Sequence, residues 1–129
     1  MTKVTLITGG SRGIGAATAR LCAAEGHAVA INYCSDAAAA EEVCLDVQSA
    51  GAEAMVVQAD TSVEADIIRM FDKIDRTLGV VTGLVNNAGI TQDNLLLRMS
   101  AEEWQSVINT NLNSVFYCSK AVLRPMLKK

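Results

Sequence analysis

The sequence is poor in the residues that punctuate or mark most special architectures: one proline, one histidine, one tryptophan, and aromatics at only 4% of 129 residues. With a single proline and no low-complexity tract, collagen-like, coiled-coil and disordered chains are excluded. The lone histidine, His27, has no nucleophile or metal-ligand partner beside it, so it is read as an exposed or capping residue and no metal site is expected. The four cysteines, Cys22, Cys34, Cys44 and Cys118, show neither C-x-x-C spacing nor neighbouring histidines and are expected to be buried free thiols. No stretch of 18 apolar residues and no signal-type h-region occurs, which predicts a cytoplasmic protein without a membrane span. Eleven Lys and Arg against 14 Asp and Glu give a net charge of -3 with no basic stripe, so nucleic acid is not an expected partner.

What is present is a chain that is 50% hydrophobic, with a mean hydropathy of +0.26. That value is high for a small domain and points to apolar surface covered by a partner or by further chain. Val4 to Thr8 is a β-branched run ending at glycines, and Ile14 to Ala24 carries apolar residues at helical spacing. After Gly26, His27 to Asn32 predicts a second strand, and Asp36 can cap a helix running to Ala50. Ala54 to Ala59 predicts a third strand, Ser62 a cap for a helix through Thr77, and Gly83 to Asn86 a fourth strand. Ser100 with Glu103 three residues on forms a capping box for a last long helix through Trp104, Ile108, Leu112 and Val115. Strands alternating with crossover helices predict one α/β domain over residues 1–129, a doubly wound parallel sheet. Only four strands are present, so the sheet reads as incomplete.

Thr8-Gly9-Gly10-Ser11-Arg12-Gly13-Ile14-Gly15 falls between the first strand and the first helix, where a pyrophosphate sits against helix N-terminal amides. Gly9 would permit the sharp exit from the strand, Gly13 the approach of a phosphate, and Gly15 close packing of helix on sheet. Asn86-Asn87-Ala88-Gly89 follows the fourth strand, at the sheet edge where open α/β folds bind ligands. Together these two motifs, with Asp60 and Asn111, resemble the short-chain dehydrogenase/reductase signature, and the resemblance covers essentially the whole chain. It implies a Rossmann fold with strand order 3-2-1-4. It further implies a cofactor site drawn from Gly9, Ser11, Arg12, Gly13, Ile14, Gly15, Asn32, Tyr33, Asp60, Thr61, Asn87, Ala88 and Gly89.

The second strand ends Ile31-Asn32-Tyr33-Cys34 with no carboxylate before Asp36, so nothing at the tip repels a 2′-phosphate. Arg12 either pairs with that phosphate or is simply solvated. NADP(H) is the expected cofactor. Asp60 would by resemblance meet the adenine amino group, or alternatively cap a helix.

Carbonyl reduction needs a hydride and a proton delivered to the developing alkoxide. The family takes the proton from a Tyr-x-x-x-Lys helix, with a Ser polarising the carbonyl and an Asn holding a water. Here Tyr33 is followed four positions on by Ala37 and Tyr117 by Ala121, so only Asn111 of that tetrad is carried over. Residues 90–99 and 104–129 are similar to 3-oxoacyl-acyl-carrier-protein and acetoacetyl-CoA reductases. The expectation is thus the cofactor-binding half of a reductase acting on a small carbonyl substrate, acyl-carrier- or CoA-linked, in a homo-oligomer. The segment ahead of the Tyr/Lys helix is expected to be inactive alone. The competing interpretation is a non-catalytic nucleotide-binding or assembly module, pairing through the edge of strand four.

Overall fold

In the computed structural model, residues 3–89 and 97–128 are described. Four parallel strands, β1 (Val4–Ile7), β2 (Ala28–Tyr33), β3 (Ala54–Gln58) and β4 (Gly83–Val85), form one sheet in the order β3-β2-β1-β4. The register pairs Leu6 with Ala30 and Leu84, and Ala30 with Met55. Helices α1 (Gly13–Ala24), α2 (Ala37–Ser49) and α3 (Glu64–Thr77) make the crossovers. Beyond β4 lie α4 (Ala101–Ile108), a wide π-helical turn (Asn109–Asn113) and α5 (Ser114–Lys128).

Because side chains alternate across a strand, each strand feeds two cores. Val4, Leu6, Ala28, Ala30, Met55 and Val57 pack on Ile67, Met70, Ile74, Cys118 and Val122 of α3 and α5. Ile7, Val29 and Ile31 pack on Ala16, Ala19 and Ala23 of α1 and Ala40, Val43 and Val47 of α2. The alanines let α1 sit close to the sheet. Each large aliphatic side chain buried this way contributes about 1.5–3 kcal/mol. The doubly wound parallel sheet with strand order 3-2-1-4 expected from the sequence is the one observed.

Boundaries move where local hydrogen bonding overrides propensity. Ser62 does not cap α3. Its N–H and Oγ–H both donate to Asp60 Oδ1, at 2.9 and 2.6 Å, closing a turn, and the helix starts at Glu64 after Val63. Acidic Glu64 and Asp66 then lie in the first turn, where the helix macrodipole favours them. The Ser100 cap is present, with Glu103 N–H donating to Ser100 Oγ at 3.0 Å. The long helix expected after it runs from Ala101 to Lys128, with a π-helical segment inside it at Asn109–Asn113. Asn109 Oδ1 accepts from Gln105 Nε2 at 3.0 Å and from Asn113 Nδ2 at 2.7 Å, and Ser114 Oγ donates to the Thr110 carbonyl. Such side chains compete with the backbone ladder, and the helix widens through the asparagine-rich turn. No helix among the described residues is long and apolar enough to cross a membrane.

Candidate functional site

The carboxyl ends of the strands converge on the glycine turn, which is held from both sides. Thr8, buried at the end of β1, uses its whole hydroxyl. Oγ1 donates to the Val85 carbonyl at 3.3 Å and accepts from the N–H groups of Asn87 and Ala88, each at 3.0 Å. On the β2 side, Gly9 N–H donates to Asn32 Oδ1 at 3.1 Å and Gly10 N–H to the Asn32 carbonyl at 2.9 Å. On the β4 side, Asn87 Nδ2 donates to the Gly9 carbonyl at 2.9 Å.

Steric room explains the three glycines separately. Gly9 has φ +62°, and a Cβ there would stand 2.9 Å from Ala88 Cα. A Cβ on Gly15 would stand 2.4 Å from Asn87 Nδ2 and 2.5 Å from the Gly9 carbonyl oxygen. The third glycine therefore makes room for the turn and its asparagine brace, where sequence alone suggested helix-on-sheet packing. Gly13, at φ +56°, has nothing within 4 Å of its Cβ position. It opens α1 toward a cleft, and the first four N–H groups of an α-helix have no intrahelical acceptor. The capping position, Arg12, supplies no side-chain cap.

The cleft has a volume of about 540 Å³ and is lined by Gly9, Ser11, Arg12, Gly13, Asn32, Tyr33, Cys34, Ser35, Asp36, Ala59, Asp60, Thr61, Asn87, Ala88, Gly89 and Thr110. It thus gathers all the expected cofactor residues except Ile14 and Gly15. Ile14 is 79% exposed on α1, and Gly15 lies beneath the turn. Asn111 sits beside the cleft at Gly89, where an added Cβ would be 3.2 Å from its Oδ1. A larger groove of about 720 Å³ runs between α3 and α5. Its walls are Ile67, Ile68, Leu123 and Leu127 with Glu64 facing Lys120, on the helical face rather than at the strand ends where such folds take ligands. Among the described residues no cluster of metal ligands occurs.

Several side chains have roles the sequence did not show. Asn32 is 2% exposed, and its Nδ2 donates to the carbonyls of Val57 at 3.3 Å and Ala59 at 3.2 Å, so its amide braces the turn. Asp60 does not cap α3. It receives the Ser62 turn, and its own N–H donates to Asp66 Oδ2 at 2.9 Å. Asp36, which the sequence placed safely past the strand tip, lines the same cleft with its Oδ2 3.8 Å from Arg12 Nη2. Cys34 is exposed in the cleft instead of buried, because the chain has left β2 there. Partial burial, then the Asp60 and Asp66 carboxylates, push its thiol pKa up. Thr8 opens the glycine motif in the sequence, but its hydroxyl bonds reach Val85, Asn87 and Ala88, 77 to 80 positions on, which no local pattern shows. Residues 90–96, within the segment that suggested a thioester substrate, lie outside the described residues.

The short chain dehydrogenase family model matches residues 3–129. A 3-oxoacyl-[acyl-carrier-protein] reductase of Synechocystis sp. is 47% identical over 98% of this chain and 51% of its own length. The enzyme of the same name from Staphylococcus epidermidis is 43% identical over 100% of this chain and 53% of its own. A Serratia marcescens short-chain dehydrogenase/reductase carrying two Phe-to-Leu substitutions superposes with a TM-score of 0.92 at 34% identity, over 96% of this chain and 51% of that one. The chain spans about half the length of the curated relatives it matches.

Proposed function

This chain belongs to the short-chain dehydrogenase family, and from that premise we propose that its residues 1–129 form the NADP(H)-binding domain of a reductase for 3-oxoacyl thioesters or similar carbonyls. The observation that carries the proposal is the braced glycine turn opening on the cleft at the carboxyl ends of β1, β2 and β4. The bare Cβ position at Gly13 and the uncapped start of α1 fit a pyrophosphate approached by backbone. When bound, the nicotinamide dinucleotide supplies the hydride. Ser11, Arg12 and Gly13 would hold its phosphates, Tyr33 and Thr61 would flank the adenosine, and Asp60 would accept from the adenine amino group. Asn87, Ala88 and Gly89 would form the floor leading toward the reacting end. Asn111, brought beside Gly89 by the widened turn, would position a water for proton delivery.

The substrate class rests on the names of the relatives, whose own chains are about twice this length. Within these residues neither Tyr33 nor Tyr117 has a lysine four positions on. We therefore infer nucleotide binding without turnover for this segment alone. Self-association is part of the proposal, supported by exposed Leu112, Phe116, Leu123 and Leu127 along the π-helical turn and α5. Titration with NADPH and NADH, followed by cofactor fluorescence, tests the central claim. Saturable micromolar binding is expected, and absence of binding to either nucleotide would overturn it.

A further inference from the structure

We propose that Asn32 is a positioning residue that couples the two ends of the cleft, so that filling the adenosine end beside β3 tightens the phosphate end at the glycine turn, and the reverse. The inference rests on the cleft being a dinucleotide site. In the strand order β3-β2-β1-β4, the glycine turn after β1 and the Ala59-Asp60-Thr61 corner after β3 are next-but-one neighbours with β2 between them. At a strand spacing of about 4.8 Å the two chains run roughly 10 Å apart, beyond direct hydrogen bonding. Asn32, one residue before the end of β2, spans that gap.

On the β1 side the strand pairing stops where Ile7 meets Ile31, and Asn32 takes over the amides that follow. Gly9 N–H donates to its Oδ1 at 3.1 Å and Gly10 N–H to its carbonyl at 2.9 Å. On the β3 side Nδ2 donates to the carbonyls of Val57 at 3.3 Å and Ala59 at 3.2 Å, the latter next to Asp60. Both Nδ2 hydrogens are thus directed at main-chain acceptors, in a residue only 2% exposed. Asn32 acts on a ligand through the turn and the corner, without touching it. The corner is itself tied down, because Asp60 N–H donates to Asp66 Oδ2 at 2.9 Å and Ser62 N–H to Asp60 Oδ1 at 2.9 Å. A base settled against Asp60 therefore fixes Ala59 as well. The turn is the softer partner, since Gly9 and Gly13 lie at φ +62° and +56° and have no side chains to pin them. A ligand that orders one end leaves less ordering for the other, so the second ligand binds more tightly. The buried amide carries the link at low local dielectric, where its bonds are stronger than in water.

The test separates the two ends. Adenosine, a probe for the β3 end, and inorganic pyrophosphate, a probe for the turn, are titrated singly and together, with the amide NMR shifts of Asp60, Gly10 and Gly13 as readouts. Saturating adenosine is expected to lower the pyrophosphate dissociation constant roughly fivefold, and by linkage pyrophosphate tightens adenosine by the same factor. In Asn32→Ala and Asn32→Ser both probes are expected to bind more weakly and the factor to fall toward one. A merely structural Asn32 would weaken binding and stability while leaving the factor where it was, and that result sinks the inference. Should neither variant fold, hydrogen exchange of the unsubstituted protein decides. Adenosine alone is expected to slow exchange at Gly9 and Gly10, and pyrophosphate alone at Ala59, whose N–H donates to the Tyr33 carbonyl. Exchange unmoved by the distant probe would also overturn the coupling, with the dinucleotide site intact. Failure of the unsubstituted protein to bind NADPH, adenosine and pyrophosphate alike would instead overturn the dinucleotide site, and the inference with it.

Discussion

Asn87 and Gly15 compete for the same space: the Asn87 Nδ2 that holds the Gly9 carbonyl at 2.9 Å stands 2.4 Å from where a Cβ on residue 15 would be. Gly15→Ala must therefore expel the amide and free the turn. We expect a loss of about 1–3 kcal/mol in denaturant unfolding, as for overpacked sites, together with loss of nucleotide binding. Gly13→Ala meets no neighbour, so its cost is only that of a left-handed backbone, about 1–2 kcal/mol. If Gly15→Ala proves as mild as a surface substitution, the asparagine brace is not what holds the turn.

Thr8→Val is nearly isosteric but leaves the Asn87 and Ala88 N–H groups without their shared acceptor. A destabilisation of about 1–3 kcal/mol is expected from leaving two half-buried donors unpaired, while Thr8→Ser, which keeps the oxygen, should lose far less. Urea unfolding of the two variants side by side checks this, and equal losses would show that the methyl group matters more than the hydroxyl.

Asn32→Leu removes the acceptor of the Gly9 N–H and the donor to Val57 and Ala59, coupling the turn to the end of β3. Stability should fall by about 1–3 kcal/mol, with hydrogen exchange at Gly9 accelerated. Retained protection at Gly9 would mean that its N–H is sheltered by burial alone.

Most of the fold was legible because it rests on period and punctuation. The β-branched run from Val4, the glycines after it and the helical spacing of Ile14 to Ala24 each point to one local structure, and the parallel sheet follows from their alternation. The site was legible to the extent that it lies on those junctions. What stayed hidden depends on pairs distant in sequence. Nothing near Asp36 reveals that it faces Arg12, 24 positions earlier, and nothing near Asn32 reveals that its amide is consumed by Gly9 and β3. The π-helical widening at Asn109–Asn113 was missed for another reason: its apolar spacing continues while its asparagine side chains compete for the backbone bonds.

Cys34 reports on the cleft directly. Exposed and lining it, this thiol should be the first alkylated by iodoacetamide, slowly at neutral pH because burial and the neighbouring carboxylates raise its pKa. Saturating NADPH should slow its modification, read by mass spectrometry of the tryptic peptide, without altering that of half-buried Cys22. Equal rates with and without nucleotide would place the ligand elsewhere.

Cys118 provides a pH signature of the core between sheet and α5. It is fully buried among Leu6, Ile67 and Val122, and burial pushes its thiol pKa up from 9.0 to about 11. The neutral thiol is the form the fold accepts, so above pH 9 the unfolded chain ionises while the folded one does not. Its contribution to stability is whole below pH 9 and is progressively lost toward pH 11. Cys118→Ala should lower stability at pH 7 by about 1 kcal/mol for the small cavity, yet unfold with a shallower loss between pH 9 and 11 than the unsubstituted chain. Cys44, also buried and raised, adds a slope of its own, so the comparison is made with Cys44→Ala present in both proteins. Parallel stability curves across that range would show that ionisation of Cys118 is not coupled to unfolding.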